Sequence, residues 1–215
     1  LHYTEFGWTT WEGTWQTPVD EVTQARYLTR SMALLSSERI DSVIYFCDFY
    51  NTRNRGESGF SILRRENDHL APKPSVAAYM TLTRNLTGVI GCTRLISLTP
   101  EIFLVTGKRD HDYVQLLWHA TGSNRINLSF PFTSAENYLG EKEKLSSDGW
   151  ITVSESPLYL FSDSSALYDA EEQACINLVS GSEAALSGTP VFLPKEFRCE
   201  QGKIRLPYHA KPGTY

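Results

Sequence analysis

The pattern of apolar and polar positions along the chain changes near residue 89. Before that point strands and amphipathic helices alternate, with predicted elements at residues 1–5 (strand), 17–35 (helix), 40–49 (strand) and 74–88 (helix). The second strand is β-branched and aromatic with little alternation, which is typical of a parallel strand buried on both faces. The first 88 residues therefore predict two βα units of a parallel architecture, too few to close a sheet.

Capping residues and an apolar stripe define the first helix. Thr17 is the predicted N-cap, Pro18 suits the first helical position, and Asp20 follows three residues after the cap. Apolar residues then recur at spacings of three and four, at Val22, Ala25, Leu28, Met32 and Leu35. This stripe predicts a helix of roughly five turns that covers a sheet.

Short strand-like runs replace this pattern after residue 89. They lie at residues 101–106, 113–120, 125–130 and 151–161, and Gly, Asn, Asp and Ser separate them. Such runs predict a small antiparallel β-sandwich, which we assign to residues 89–163. Residues 164–215 contain many Gly and Pro, and we expect them to form a linker and the start of a further, Ig-like β module.

Composition and charge limit the classes of function. Hydrophobic residues make up 41% of the 215 positions and charged residues 21%, which excludes a disordered chain and allows a real core. The formal net charge is −5, and Lys and Arg are scattered singly, so no basic stripe favours nucleic acid as a partner. No apolar run approaches the ~18 residues needed to cross a bilayer, so we expect no membrane span.

The cysteines give no metal-binding pattern. Cys47, Cys92, Cys175 and Cys199 form no CxxC pair, and no His cluster stands near them. We therefore expect no metal site. Cys175 and Cys199 share the C-terminal segment, and both a disulfide between them and two separate thiols are compatible with the sequence.

The most informative carboxylate is Glu5, which lies within Thr4-Glu5-Phe6-Gly7-Trp8. It falls at the C-terminal end of the first predicted strand, where barrel enzymes place their catalytic groups. Taken alone, a Glu at the end of a strand is more often a salt-bridge partner or a helix cap. The motifs that follow along the chain favour the catalytic interpretation.

Five elements, in order, resemble the retaining glycoside hydrolases of the large (β/α)8 clan, whose seventh strand ends in Thr-Glu-aromatic-Gly-Trp. They are residues 4–8, 24–28, 44–49, 59–63 and 73–79, the last being similar to the family's Lys-Pro-x-x-x-Ala-Tyr opening of the eighth helix. An ordered series over about 85 residues is more specific than any single short motif. Runs at residues 113–118, 138–140, 148–153 and 156–160 resemble the β-sandwich that often follows these barrels.

The resemblance implies a fold of mixed class, α/β plus all-β. Residues 1–88 would be the last two βα units of a TIM barrel, and the antiparallel β-sandwich would pack on the flank of the barrel in a structural role. Because Leu1 stands inside a predicted strand in place of an initiator Met, we expect the chain to be a fragment of a longer protein.

The resemblance also implies a double-displacement mechanism with Glu5 as the nucleophile. Retaining glycosidases need two carboxyl groups about 5–5.5 Å apart, and the family's acid/base, a Glu after Asn at the end of the fourth strand, would lie upstream of Leu1. Asp48 ends the neighbouring strand and is assigned to substrate binding and support rather than to catalysis. No cofactor or metal is expected, and the fragment alone would be inactive.

Aromatic residues crowd the ends of these two strands. Trp8, Trp11 and Trp15 follow the Glu5 strand, and Phe46 and Tyr50 flank the end of the next one. Because the C–H faces of sugars stack on such rings, we predict Trp8 as the main platform and Phe46, Trp11 and Tyr50 as further substrate contacts. Packing of the loop is an equally good explanation for Trp11 and Trp15.

Three functions remain open from the sequence. The leading hypothesis is a retaining glycoside hydrolase that acts on a β-linked oligosaccharide or polysaccharide, outside the cell or in the periplasm. The alternative is a non-catalytic carbohydrate-binding protein on a glycosidase-like barrel that lost its acid/base. The third is an adhesion or scaffold role for the β modules. The sugar, its linkage, exo or endo action and the oligomeric state are not determined by these residues.

Overall fold

The computed structural model describes residues 2–12, 16–38, 40, 42–46, 55–89, 94–97, 101–109, 111–127 and 132–163, with three two-residue strands nearer the C-terminus. The helices are α1 (Glu21–Ser37), α2 (Arg55–Ser58) and α3 (Pro74–Leu86). The strands before residue 89 are β1 (His2–Phe6), β2 (Ser42–Tyr45), β3 (Leu63–Glu66) and β4 (His69–Pro72). Those that follow are β5 (Arg94–Ser97), β6 (Ile102–Lys108), β7 (Tyr113–His119), β8 (Ser123–Asn127), β9 (Ser134–Asn137), β10 (Lys142–Glu143), β11 (Trp150–Ser154), β12 (Leu158–Ser162), β13 (Asn177–Leu178), β14 (Cys199–Glu200) and β15 (Lys203–Ile204).

The first part of the fold is a parallel strand pair with two packed helices. β1 and β2 pair in parallel, and α1 connects them. α1 and α3 pack against each other, and Ala25 and Ala78 are fully buried in a small cluster with Tyr138. Small side chains let two helix backbones approach closely. The parallel pairing predicted from the order of elements is confirmed.

Helix α1 begins three residues later than the sequence predicted. Its N-cap is Asp20, whose carboxylate accepts hydrogen bonds from the backbone N–H and the hydroxyl of Thr23, both at 2.8 Å. Thr17 and Pro18 precede the helix, and the N–H of Val19 donates to the carbonyl of Thr9 at 2.9 Å. The prediction of Thr17 as the cap is wrong, because Asp20 accepts the free backbone N–H of Thr23 in the first turn.

The buried face of α1 is only partly the apolar stripe. Ala25, Leu28 and Ala33 are fully buried, whereas Val22 is 41% exposed. The rest of the buried face is polar and comprises Gln24, Thr29, Arg30 and Ser37. The helix therefore buries a polar side as well. Gln24 and Arg30 bind neighbouring elements, whereas Thr29 and Ser37 bond to carbonyls of the helix itself.

Strand β2 has one covered face and one open face. Val43 and Tyr45 are half-buried, whereas Ser42 is exposed and Ile44 is 55% exposed. The prediction that this strand is buried on both faces is therefore wrong for the part of it that the structure describes. The reason is that, among the described residues, no element covers the side that carries Ile44.

The segment between the parallel pair and α3 forms a hairpin that the sequence did not predict. β3 and β4 pair antiparallel, and Asn67 adopts a φ of 53° in the turn between them. Asn tolerates this left-handed conformation better than most residues. α3 follows as predicted, with Pro74 in its first turn and Gly88 just beyond its end at a φ of 78°.

The second part of the fold is a sandwich of two antiparallel sheets. One sheet has six strands in the order β10-β9-β12-β7-β6-β5, and the other has three in the order β11-β8-β13. Apolar residues from both sheets meet in one core, to which Leu104, Leu117, Ile126 and Val153 belong. The predicted strand at residues 151–161 is in fact two strands, β11 and β12, which lie in different sheets.

The six-stranded sheet is the middle layer of the molecule. On β7, Leu117 faces the sandwich core, whereas Leu116 and Trp118 belong to a second core that includes Ala33 of α1. The helices therefore cover one face of this sheet and the three-stranded sheet covers the other. This arrangement explains why residues 113–119 show no polar alternation.

The C-terminal segment is described only at three short strands. β13 pairs with β8 and so extends the three-stranded sheet, and β14 pairs with β15 in a hairpin. Cys175 lies outside the described residues, so its pairing with Cys199 stays a prediction, as does the division into three domains. None of the helices described is long and apolar enough to cross a membrane.

Candidate active site

Glu5 lies at the C-terminal end of β1, beside its parallel partner strand β2. The rings of Phe6 and Tyr45 meet edge to face at 5.5 Å, which places Phe6 on the same face as Tyr45. Side chains alternate along β2, so Ile44 lies on the opposite face. The Glu5 side chain is exposed and makes no hydrogen bond or ion pair with the described residues.

The ends of β1 and β2 are held at a fixed separation beside Glu5. The strand register is irregular between Tyr3 and Phe6, and the N–H of Phe46 donates to the Phe6 carbonyl at 2.7 Å. A Cβ atom on Gly7 would lie 1.9 Å from the carbonyl oxygen of Phe46. Only glycine fits this contact, so Gly7 is required for the two strand ends to meet.

Aromatic rings pack on the helix side of these strand ends. Trp8 meets Phe6 at 5.6 Å and Tyr27 of α1 at 5.3 Å between ring centroids. The predicted platform residue Trp8 is therefore half-buried against the helix. Phe46 is also half-buried, with its ring 5.4 Å from that of Phe60.

Trp11 is more exposed than Trp8, the other tryptophan of this loop that the structure describes. It is 38% exposed, and its backbone N–H donates to the Thr9 hydroxyl at 3.1 Å. A Cβ atom on Gly59 would lie 2.8 Å from the Cβ of Trp11. The backbone of Trp11 is thus fixed against Gly59 while its ring reaches solvent.

Gln24 is a buried residue that positions the loop after β1. Its side-chain amide donates through Nε2 to the carbonyl of Trp8 at 2.8 Å and accepts through Oε1 from the Ser75 hydroxyl at 3.0 Å. It is fully buried. Gln24 belongs to the family-like motif at residues 24–28, but no role could be predicted for it from the sequence. Its position beside Ala25 and Leu28 on an apolar helix face indicates that the amide is buried and hydrogen-bonded.

Lys73 is the second buried polar residue that joins these loops. It is 4% exposed, and its Nζ donates to the Thr10 hydroxyl at 2.9 Å and to the carbonyls of Gly59 at 3.2 Å and Ser61 at 2.6 Å. A buried ammonium is tolerated only when oxygen atoms replace its lost water. Lys73 therefore ties the loop after β1 to the turn that precedes β3.

The remaining predicted site residues lie outside the described part of the chain. Asp48 and Tyr50 belong to this group, as does Trp15. Among the residues described, no group of three or more His, Cys, Asp or Glu side chains could hold a metal ion. The structure thus brings Glu5 and Phe46 to paired strand ends, with Trp8 and Trp11 on the loop that follows.

Two carboxyl groups with a lowered pKa, those of Asp20 and Glu155, serve other parts of the fold. The Thr23 backbone N–H, and then its hydroxyl, lower the pKa of Asp20 at the start of α1. The backbone N–H of Gly122 is the largest influence that lowers the pKa of Glu155, followed by the charge of Arg30. These two carboxylates serve the helix cap and the contact between layers.

An exposed carboxylate at the end of a parallel strand is suited to act on a bound molecule. It can serve as a nucleophile, as a base, or as a charge that stabilises a cation. Rigid support for such a group comes here from Gly7, Gln24 and Lys73, which hold the adjoining loops.

Comparisons with known proteins give only distant structural neighbours. No family model matches the chain, and no curated protein matches it either. A glycoside hydrolase family 30 subfamily 8 xylanase from Clostridium acetobutylicum shares 10% identity at a TM-score of 0.46, over 75% of this chain and 42% of the xylanase. An endoxylanase of the same family from Clostridium papyrosolvens shares 10% identity at 0.43, over 75% and 41% of the two chains.

An α-amylase from Anoxybacillus is a third neighbour, with 11% identity and a TM-score of 0.42 over 66% of this chain and 33% of the amylase. The neighbours named here are thus glycoside hydrolases, and this chain spans less than half the length of each. With TM-scores below 0.5, these likenesses assign neither a fold family nor an activity to the chain.

Proposed function

We propose that this chain is the C-terminal part of a retaining glycoside hydrolase, with Glu5 as its nucleophile. The observation that carries the proposal is the place of Glu5, an exposed carboxylate at the C-terminal end of a parallel strand. Catalytic groups of (β/α)8 enzymes occupy this place. The ordered motifs at residues 4–8, 24–28, 44–49, 59–63 and 73–79 support the same family.

The open face of β1 and β2 is consistent with the interior of a barrel. A barrel strand has one face against helices and one face toward the barrel axis. Tyr45 lies on the helix side, whereas Ile44 is 55% exposed on the other. In the proposed fold, further strands supplied by the rest of the protein cover Ile44 and complete the cleft around Glu5.

In the proposed reaction Glu5 attacks the anomeric carbon of a β-linked glycoside. A carboxylic acid supplied from outside these 215 residues protonates the leaving oxygen, and a covalent glycosyl ester forms on Glu5. The same acid, now a carboxylate, takes a proton from water, and the water displaces Glu5 from the sugar. The chemistry needs two carboxyl groups and no cofactor.

The aromatic residues of the loop after β1 supply the proposed sugar contacts. Trp11 is the better platform on structural grounds, because the residue is 38% exposed while the ring of Trp8 packs against those of Phe6 and Tyr27. Indole faces stack on the C–H surfaces of sugars. We retain Phe46, Asp48 and Tyr50 as proposed contacts at the end of the second strand.

A polysaccharide substrate places the proposed enzyme outside the cell or in the periplasm. Substrates of this size do not cross a membrane unaided, so cleavage takes place where the polymer is found. The proposal includes oligosaccharides as well as polysaccharides as partners.

The test uses the complete protein that carries this chain and activated aryl β-glycosides of glucose, xylose and mannose. Glu5→Gln is expected to lower turnover on the order of 10³-fold or more. Glu5→Ala is expected to regain cleavage when azide is added, because azide replaces the missing nucleophile. The matched control is Glu12→Gln, which replaces an exposed carboxylate on the loop after β1. This variant is expected to retain turnover.

Two results would decide against the proposal. Turnover that survives Glu5→Gln removes Glu5 from the chemistry. Saturable binding of oligosaccharides by the wild-type protein, without turnover of any of the three glycosides, favours the alternative of a carbohydrate-binding protein.

A further inference from the structure

The β-sandwich contains a groove that the proposed chemistry does not use. It has a volume of about 320 Å³ and opens between edge strand β11 of one sheet and β9 and β10 of the other. Residues of the sandwich line it, including Trp150, Thr152, Glu143, Lys144, Ser156 and Leu158. The volume lies at the lower end of the ~300–1,000 Å³ range of small-molecule sites.

Trp150 is held in a fixed orientation at this groove. The guanidinium of Arg125 lies 5.1 Å from the centroid of the indole. Asp148 pairs with Arg125 at 3.6 Å and accepts the backbone N–H of Trp150 at 3.1 Å. Arg125 therefore restrains the indole of Trp150, which lines the groove. An aromatic residue fixed before binding loses little entropy when a ligand stacks on it.

The polar residues of the groove are available to a ligand. Among the described residues, the hydroxyls of Thr152 and Ser156 and the charged groups of Glu143 and Lys144 have no hydrogen-bond partner. One acid and one base leave the lining without net charge, which favours an uncharged ligand. Hydroxyls, a carboxylate and an ammonium can together donate to and accept from a polyhydroxylated molecule.

We propose that this groove binds a segment of an uncharged oligosaccharide or polysaccharide, with Trp150 as its stacking platform. The sugar rings lie on Trp150 and Leu158, and their hydroxyls bond to Thr152, Ser156 and Glu143. The site goes beyond the proposed function, because it lies on the β-sandwich and does not involve Glu5. Its role is to keep a polymer attached to the protein independently of cleavage.

The test is affinity electrophoresis of the complete protein in native gels that contain soluble xylan, a soluble β-1,3-glucan or soluble starch. At least one polymer is expected to retard the protein. Trp150→Ala and Thr152→Arg are each expected to raise the apparent dissociation constant about three- to tenfold. Thr152 is exposed on the edge strand, so an arginine there fills the groove without entering the core. A loss of binding in this variant therefore does not come from misfolding.

Two controls separate this site from the catalytic proposal. Tyr79→Ala removes an aromatic residue that is 42% exposed on α3, and retardation is expected to stay unchanged. Glu5→Gln is expected to retain retardation, while Trp150→Ala retains kcat/KM on a small aryl glycoside. The groove proposal is overturned if none of the three polymers retards the protein. It is also overturned if the Trp150 and Thr152 variants are retarded as much as the wild type. Neither result affects the proposal that Glu5 is the nucleophile.

Discussion

The side-chain amide of Gln24 on α1 donates to the backbone carbonyl of Trp8 at 2.8 Å. This bond joins α1 to the loop that follows β1. Trp8 lies three residues after Glu5 in that loop. Gln24 is fully buried, and the Ser75 hydroxyl of α3 donates to its Oε1. One polar side chain thereby links both helices to the candidate active site.

Replacement of Gln24 by Ala tests this link. The change leaves the Trp8 carbonyl without its partner and opens a cavity, so the free energy of unfolding is expected to fall by about 2 kcal/mol or more. Urea denaturation measures the loss. Val22→Ala on the exposed side of the same helix is the control and is expected to stay within about 0.5 kcal/mol of the wild type. Equal losses of unfolding free energy in the two variants would contradict a stabilising role for the bond between Gln24 and Trp8.

Replacement of Gly7 by Ala tests the close contact of the strand ends. The new methyl group would stand 1.9 Å from the Phe46 carbonyl oxygen, which is backbone and cannot rotate away. The expected loss of unfolding free energy is about 1–3 kcal/mol, together with reduced turnover in the complete protein. Gly88→Asn serves for comparison, because nothing lies within 4 Å of its added Cβ and Asn accepts the positive φ. A stable, fully active Gly7→Ala variant would contradict the contact.

Arg30 anchors α1 to the β-sandwich. Its guanidinium donates to the carbonyl of Ala120 at 3.2 Å and to the carbonyl of Glu155, and burial lowers its pKa. Arg30→Ala removes both bonds to otherwise unpaired carbonyls and is expected to cost at least about 2 kcal/mol. Arg65→Ala, at a site about half exposed, is expected to have little effect. Thermal unfolding followed by circular dichroism distinguishes the two, and similar melting temperatures would argue against an anchoring role.

Glu155 predicts a pH dependence of stability. Its pKa is lowered by the backbone N–H of Gly122 and by the charges of Arg30, Arg26 and His119, so the folded state favours the carboxylate. The stabilisation is therefore present above the unfolded pKa of about 4.3 and is lost as the pH falls through the lower folded value. The Tm of Glu155→Gln should lie below that of the wild type at pH 6, and the difference should shrink toward pH 3. A constant or widening difference would contradict the assigned cause.

Elements set by local signals could be predicted from the sequence. Pro74 and Gly88 bracket α3 because each has a backbone preference that acts at that position alone. The start of α1 was misplaced because Thr17, Pro18 and Asp20 all carry capping signals. In the structure Asp20 is the N-cap, and the N–H of Val19 before it bonds to the carbonyl of Thr9. That bond depends on how the preceding loop folds back.

Features that depend on tertiary layers could not be predicted. The run at residues 151–161 has strand-like residues on both sides of Ser154-Glu155-Ser156. Its two halves, β11 and β12, belong to different sheets, and the turn at 155–157 is bound by Arg30 from a distant helix. The roles of Gln24 and Lys73 likewise depend on carbonyl and hydroxyl oxygens that lie 12 to 63 positions away along the chain. By contrast, the place of Glu5 at the end of a strand followed directly from the local pattern.

The most direct measurement of the central claim is covalent trapping of the nucleophile. The complete protein is incubated with 2-deoxy-2-fluoro glycosyl fluorides of glucose, xylose and mannose, in which the fluorine slows release of the glycosyl ester, and peptides are mapped by mass spectrometry. A single label is expected on Glu5, and none is expected in the Glu5→Gln variant. A label on any other carboxylate, or substrate turnover without any trapped ester, would contradict the central claim.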